Sequence, residues 1–152
     1  RVFAVVTSSV AEGTATLPTP TLGANMTSTS LLTGETSFIN SAMLTQKKYV
    51  EAAIRFIEAN YHLDIGVDTI AKHIGIDRSY LFRLFREELG VSVRDYIIQV
   101  RMRAACDFLR QPDALVKNVA ASVNYDTFAF SRIFKKVIGT SPLEYLRKHR
   151  PD

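Results

Sequence analysis

The chain has 152 residues, 47% of them hydrophobic, with 19 Lys and Arg against 15 Asp and Glu. That is enough apolar material for one or two buried cores, and the +4 excess is compatible with a polyanionic partner without requiring one. A single cysteine, Cys106, excludes an internal disulfide and fits a reducing compartment, and no apolar run reaches membrane-spanning length.

Residues 1–46 differ in character from the rest. Their only charges are Arg1, Glu12 and Glu35, Ser and Thr are abundant, and Pro18 and Pro20 interrupt them. Phe3 to Val6, Leu31-Leu32 and Phe38-Ile39 are strands at most, so the stretch reads as a linker or the remnant of an upstream domain, poorly structured. The opening apolar run is too short for a signal peptide, and the lack of an initiating Met points to a piece of something longer. Setting those three charges aside leaves 18 basic against 13 acidic residues, so residues 47–152 carry +5.

A helix is predicted from about Gln46 to Tyr61. Val50, Ala53, Ile54, Ile57 and Tyr61 form its core stripe, while Lys47, Lys48, Glu51, Arg55 and Glu58 stay wet. A short helix follows on Val67, Ile70, Ala71 and Ile74, with Gly66 near its N-cap and Gly75 ending it at positive φ. Asp77, whose carboxylate can accept from the free amides of the next turn, opens a helix from about Arg78 to Leu89. Its buried stripe is Leu81, Leu84, Phe85 and Leu89. Two helices joined by so short a turn make a helix-turn-helix.

A longer helix, about Ser92 to Leu109, then presents Val93, Ile97, Val100, Ala104 and Phe108 on one face and spans roughly 25 Å. Arg101 and Arg103 on it reach either phosphates or nearby acids such as Asp107, and the second reading is preferred. Cys106 lies beside Ala104 and Ala105, where a small packing residue is the better reading than a nucleophile. Gln111-Pro112-Asp113 breaks the helix.

Beyond the break, the first unit returns at a constant offset of 49 positions. Ala71 is matched by Ala120, Ile74 by Val123, Asp77 by Asp126, Leu81 by Phe130 and Arg83 by Arg132. The match continues with Phe85 and Phe134, Arg86 and Lys135, Gly90 and Gly139, Ser92 and Ser141, and Tyr96 and Tyr145. This is one supersecondary unit used twice. Asn124 replaces Gly75 and also tolerates the left-handed region. A last short helix, Pro142 to about Lys148, is capped by Ser141; Leu143, Tyr145 and Leu146 close the second core, and Arg147, Lys148 and Arg150 form a basic tail.

With the apolar stripes turned inward, Arg78, Ser79, Phe82, Arg83 and Arg86 project from one second helix. Thr127, Phe128, Ser131, Arg132, Lys135 and Lys136 project from the other. In a helix-turn-helix this face enters the major groove, where Arg grips guanine bidentately and apolar groups meet thymine methyls. A solvated basic face is the plainer reading of either helix alone; two copies in one register weigh against it.

These residues resemble the DNA-binding domain of AraC/XylS-type transcriptional regulators over about Val50 to Arg147. The most specific part is Phe130-Ser131-Arg132-Ile133-Phe134-Lys135-Lys136, followed by Gly139-Thr140-Ser141-Pro142 and Tyr145. Arg101-Met102-Arg103-Ala104-Ala105-Cys106-Asp107-Phe108-Leu109 is similar to that family's connecting helix. The chain departs at Asn124, where the family usually has Gly, and has one residue fewer between that position and Phe130. Arg132 lies inside the well-matched run.

The resulting expectation is an all-α fold of about seven helices, two helix-turn-helix subdomains joined by a long connecting helix. The divisions are 1–46, then 47–152, with subdomain 1 at about 47–91, the linker helix at 92–110 and subdomain 2 at about 111–150. The expected function is sequence-specific binding of duplex DNA at a promoter or operator, regulating transcription. Ser79, Phe82, Arg83, Thr127, Phe128, Ser131 and Arg132 would meet bases; Lys72, Arg78, Arg86, Lys117, Lys135 and Lys136 would hold phosphates. A rigid 25 Å spacer would set the two reading helices about one DNA turn apart, roughly 34 Å.

The resemblance implies RNA polymerase as a partner, a cytoplasmic setting, and a small-molecule effector bound by a domain not in this chain. No enzyme is expected: His62, His73 and His149 lack metal-ligand spacing, and no phosphate-binding or dinucleotide motif occurs. Glu87 and Glu88 point to different sides of a helix and form no carboxylate pair for acid/base work, and no cofactor or metal is expected. The alternative is a helical protein-interaction module whose basic faces bind an acidic partner.

Overall fold

The computed structural model describes residues 33–150, all of whose regular structure is helical. The helices are α1 Thr33–Asn60, α2 Val67–Ile74, α3 Arg78–Leu89 and α4 Val93–Leu109. They are followed by α5 Val116–Ser122, α6 Thr127–Ile138 and α7 Pro142–His149. The expectations for residues 1–32 lie outside the described residues.

Helix α1 is longer than the helix expected from about Gln46 to Tyr61. It begins at Thr33, so much of the Ser- and Thr-rich approach is helical. Once Val50, Ala53 and Ile57 anchor a nucleated helix, each further turn costs little. Thr45 complies by bonding within the helix, its Oγ1 donating to the Ser41 carbonyl at 2.9 Å. Ile39, Met43 and Leu44 on this extension are exposed.

Two separate cores form. Lobe 1 packs α1 across α2 and α3 around Ile57, Ile70, Leu81, Leu84 and Phe85. Lobe 2 packs α5, α6 and α7 around Val123, Phe130, Phe134 and Leu146. Helix α4 serves both, and here the sequence reading needs correction. Val93, Tyr96, Ile97 and Val100 enter the first core, but the stripe does not continue through Phe108, which is 37% exposed. Met102, Ala105 and Leu109 enter the second core instead. At about 100° per residue these sets point roughly 160° apart, so the lobes flank α4 on nearly opposite sides. Burial first, and then the nearby Glu58 carboxylate, push the Tyr96 phenol up to about 12. It therefore stays protonated, packed edge-on against Phe85 at 5.8 Å.

The repeat is carried down to single hydrogen bonds. Ile76 donates its amide to the Ala71 carbonyl at 3.0 Å, and Tyr125 donates to Ala120 at 2.9 Å, the same bond 49 positions on. Asn124 takes φ 64° where Gly75 takes 78°, so the turn is kept without glycine. Removing the tolerant side chain tests this: Asn124→Val should cost about 1–2 kcal/mol in urea denaturation, and Asn124→Gly should cost almost nothing.

The caps are less uniform. Asp126 accepts from the Ala129 amide at 2.8 Å, whereas Asp77 holds the N-cap position without a side-chain bond to its helix, contrary to expectation. Ser141 and Glu144 form a reciprocal capping box at α7, with Pro142 in its first turn. Tyr145 and Leu146 join the second core, but Leu143, also expected there, is exposed.

Candidate nucleic-acid interface

The outward stripes of α3 and α6 occupy matching positions. On α3, Ser79, Phe82, Arg83 and Arg86 are exposed along one line opposite Leu81, Leu84 and Phe85. Their counterparts on α6 are Phe128, Ser131, Arg132 and Lys135, opposite Phe130 and Phe134. Large exposed rings here are unusual: Phe128 is 73% and Phe82 48% exposed. A soluble surface gains nothing from showing them unless something covers them.

Both rings sit under guanidinium groups. Arg132 lies 5.8 Å from the centre of Phe128, and Arg86 lies 5.5 Å from Phe82. These contacts hold the long side chains along the helix rather than letting them sweep freely.

The two faces are not electrically equal. Arg83 lies over Tyr80 at 5.1 Å and pairs with Glu87 at 3.8 Å. Arg78 pairs with Asp68 of α2 at 3.1 Å. Both pairs are exposed, so each is worth little and is readily exchanged for another anion. Helix α6 contains Arg132, Lys135 and Lys136 and no acid at all, whereas α3 balances three arginines with Glu87 and Glu88. Composition summed over the domain hid this asymmetry.

The remaining predicted residues fall at the margins. Thr127 is the first residue of α6, in the position that Arg78 holds on α3, and Lys136 flanks the opposite edge. Lys72 is exposed on α2 and Lys117 on α5; they are not repeat partners, since Lys72 corresponds to Ala121 and Lys117 to Asp68.

Arg101 was misread. It is buried and meets neither solvent nor an acid: Nε donates to the Tyr61 carbonyl and an Nη to that of Leu63, each at 2.8 Å. Asp107, the partner expected for it, pairs with Arg110 at 3.3 Å. The signal available in the sequence was the position of Arg101 between Val100 and Met102, where α4 changes the core it serves.

Burial is the first cause holding the Cys106 thiol above its usual value, only partly offset by its bond with Tyr145 and by Arg110. A thiol so placed is a poor nucleophile. Among the described residues no group of three or more His, Cys, Asp or Glu could hold a metal, and no helix is long and apolar enough to cross a membrane.

A sequence model described as a helix-turn-helix domain matches residues 70–148, more than half of the chain. The chain belongs to the AraC/XylS-type family of helix-turn-helix regulators. Sequence-specific binding of double-stranded DNA is the function this domain carries. The Msm operon regulatory protein of Streptococcus mutans is 32% identical over 113 residues, covering 74% of this chain and 41% of that protein. The lactose operon transcription activator of Staphylococcus xylosus is 35% identical over 97 residues, covering 63% of this chain and 35% of that protein. This chain therefore spans well under half the length of these relatives. Among solved structures, the C-terminal domain of AraT, a response regulator from Geobacillus stearothermophilus, superposes with a TM-score of 0.66 at 27% identity. That match covers 68% of this chain and 88% of AraT's. The all-α tandem helix-turn-helix expectation stands.

Proposed function

We propose that this AraC/XylS-type chain reads an operator by placing α3 and α6 in successive major-groove segments on one side of the duplex. The observation that supports it is the outward stripe repeated in register, Ser79/Phe128, Phe82/Ser131, Arg83/Arg132 and Arg86/Lys135, on two lobes held by one 17-residue helix. Arg83 and Arg132 bond guanine edges; Ser79, Phe82, Thr127, Phe128 and Ser131 complete the base contacts, the rings meeting thymine methyls. Lys72, Arg78, Arg86, Lys117, Lys135 and Lys136 hold phosphates, which fixes register and adds affinity without sequence information. The reading unit is the part from residue 47 onward, with lobes at about 47–91 and 111–150 on a linker helix at 92–110.

The whole protein, on this reading, works in the cytoplasm, engages RNA polymerase at the promoter, and takes a small-molecule signal through a domain outside this chain. The relatives that regulate operons support such a setting.

Salt titration of duplex binding is the test. With about six phosphate contacts, the slope of log affinity against log salt should be about −5, and Lys136→Ala should make it shallower by about 1 on every sequence. Affinity for an acidic protein in preference to duplex DNA would instead favour the protein-interaction alternative.

A further inference from the structure

We propose that Arg101 is a positioning residue that locks the angle between the two lobes and so sets the half-site spacing the chain accepts. Arg101 is only 7% exposed. Its two bonds go to the Tyr61 and Leu63 carbonyls, in the segment that joins α1 to α2 and so leads into the first helix-turn-helix. The same guanidinium lies 5.0 Å from the ring centre of Tyr125, the residue immediately before the N-cap Asp126 of α6. One side chain thus touches the entry to the first reading unit and the turn of the second.

The geometry suits a lock. Two parallel donors of a planar fork fix its orientation within the plane, and a ring against its face fixes the third direction. Arg101 projects where α4 passes from one core to the other, and Tyr61 itself packs against both cores. Elsewhere α2 and α3 make their extensive contacts within lobe 1, and α5 to α7 within lobe 2 or with α4. Beside α4 itself, Arg101, Tyr61 and Tyr125 form a knot that joins the lobes. A lysine would keep the charge and lose the fork.

Any rotation of one lobe about α4 moves its reading helix relative to the other. Displacing one half-site by a base pair turns it about 34° around the duplex, so a locked pair of lobes discriminates spacing and a loose pair does not. The half-site part of this inference rests on the DNA-reading assignment; the locking part does not.

The experiment uses the full chain in a Cys106→Ser background, spin-labelled through Glu88→Cys on α3 and Thr140→Cys after α6. Both labelled positions are exposed and outside the proposed contacts. The distance distribution between labels should widen in Arg101→Met and Tyr125→Leu. It should stay as in the parent for Arg110→Met, which removes an exposed cation from the end of the same helix. Arg101→Lys should fall between. An unchanged width in Arg101→Met and Tyr125→Leu overturns the proposal. If Arg101→Met does not fold, Tyr125→Leu decides, because it removes the ring and spares both carbonyl bonds.

On duplexes whose half-sites are about 9 to 12 base pairs apart, the parent should lose about tenfold in affinity for a one-base-pair displacement from its best spacing, and Arg101→Met no more than about twofold. Equal loss at every spacing would mean that Arg101 acts only on stability or phosphates, and overturns the proposal. Failure of the parent to bind any duplex would sink the DNA-reading assignment and the half-site claim; the locking claim would be decided by the label distances.

Discussion

Phe134→Ala is expected to cost about 3–5 kcal/mol of folding free energy, a large share of what a small domain possesses. Phe134 is fully buried at the centre of lobe 2, with ring centres 5.5 Å from both Phe130 and Tyr145. Truncation removes those ring contacts and leaves a cavity between α6 and α7 that the neighbours fill only in part. Phe128, on the same helix but facing out, provides the control: Phe128→Ala should change stability by no more than about 0.5 kcal/mol. Urea denaturation of the two variants measures both. Similar costs for the two would show that the inward and outward faces of α6 have been misassigned.

Arg132→Ala should have the largest single effect on recognition, about 1–3 kcal/mol on the preferred duplex, with selectivity relaxed at one base pair. Arg83→Ala should cost less although it occupies the matching position. Arg83 already engages Glu87 at 3.8 Å and must give up that contact to reach a base, whereas Arg132 leans on Phe128 and pairs with no acid among the described residues. Competition binding with the preferred and a random duplex separates base reading from general attraction. Uniform loss on both sequences would assign Arg132 to the phosphates instead.

The parts of this fold that were legible in the sequence are those fixed by local chemistry. Helix ends at Gly75, Gly90 and Gly139 follow from positive φ, which few other residues tolerate. Those starting at Ser92 and Ser141 follow from side chains that accept from free amides. Repetition made these signals stronger, because two turns had to obey the same rules at the same offset.

What escaped the sequence depends on neighbours distant in the chain. Helix α4 has apolar residues on several sides, so a single stripe through Phe108 fitted the pattern; only the second lobe decides that Met102, Ala105 and Leu109 are the buried set. The place of Arg101 between Val100 and Met102 pointed to burial, but its actual partners, backbone carbonyls, are invisible in a sequence. The early start of α1 was hidden because residues such as Ser41 and Thr45, both exposed, carry no helical stripe. For the interface, the outward residues were readable from helical spacing, but the pairing of Arg83 with Glu87 and of Arg78 with Asp68 was not anticipated, and with it the weaker charge on α3.

Selection of bound sites from a pool of random duplexes tests the central claim most directly. Two reading helices working together should enrich two short conserved blocks whose centres lie about 10 base pairs apart, one helical turn, with freely varying sequence between them. A single block, or two blocks separated by about half a turn, would contradict a pair of helices set on one side of the double helix.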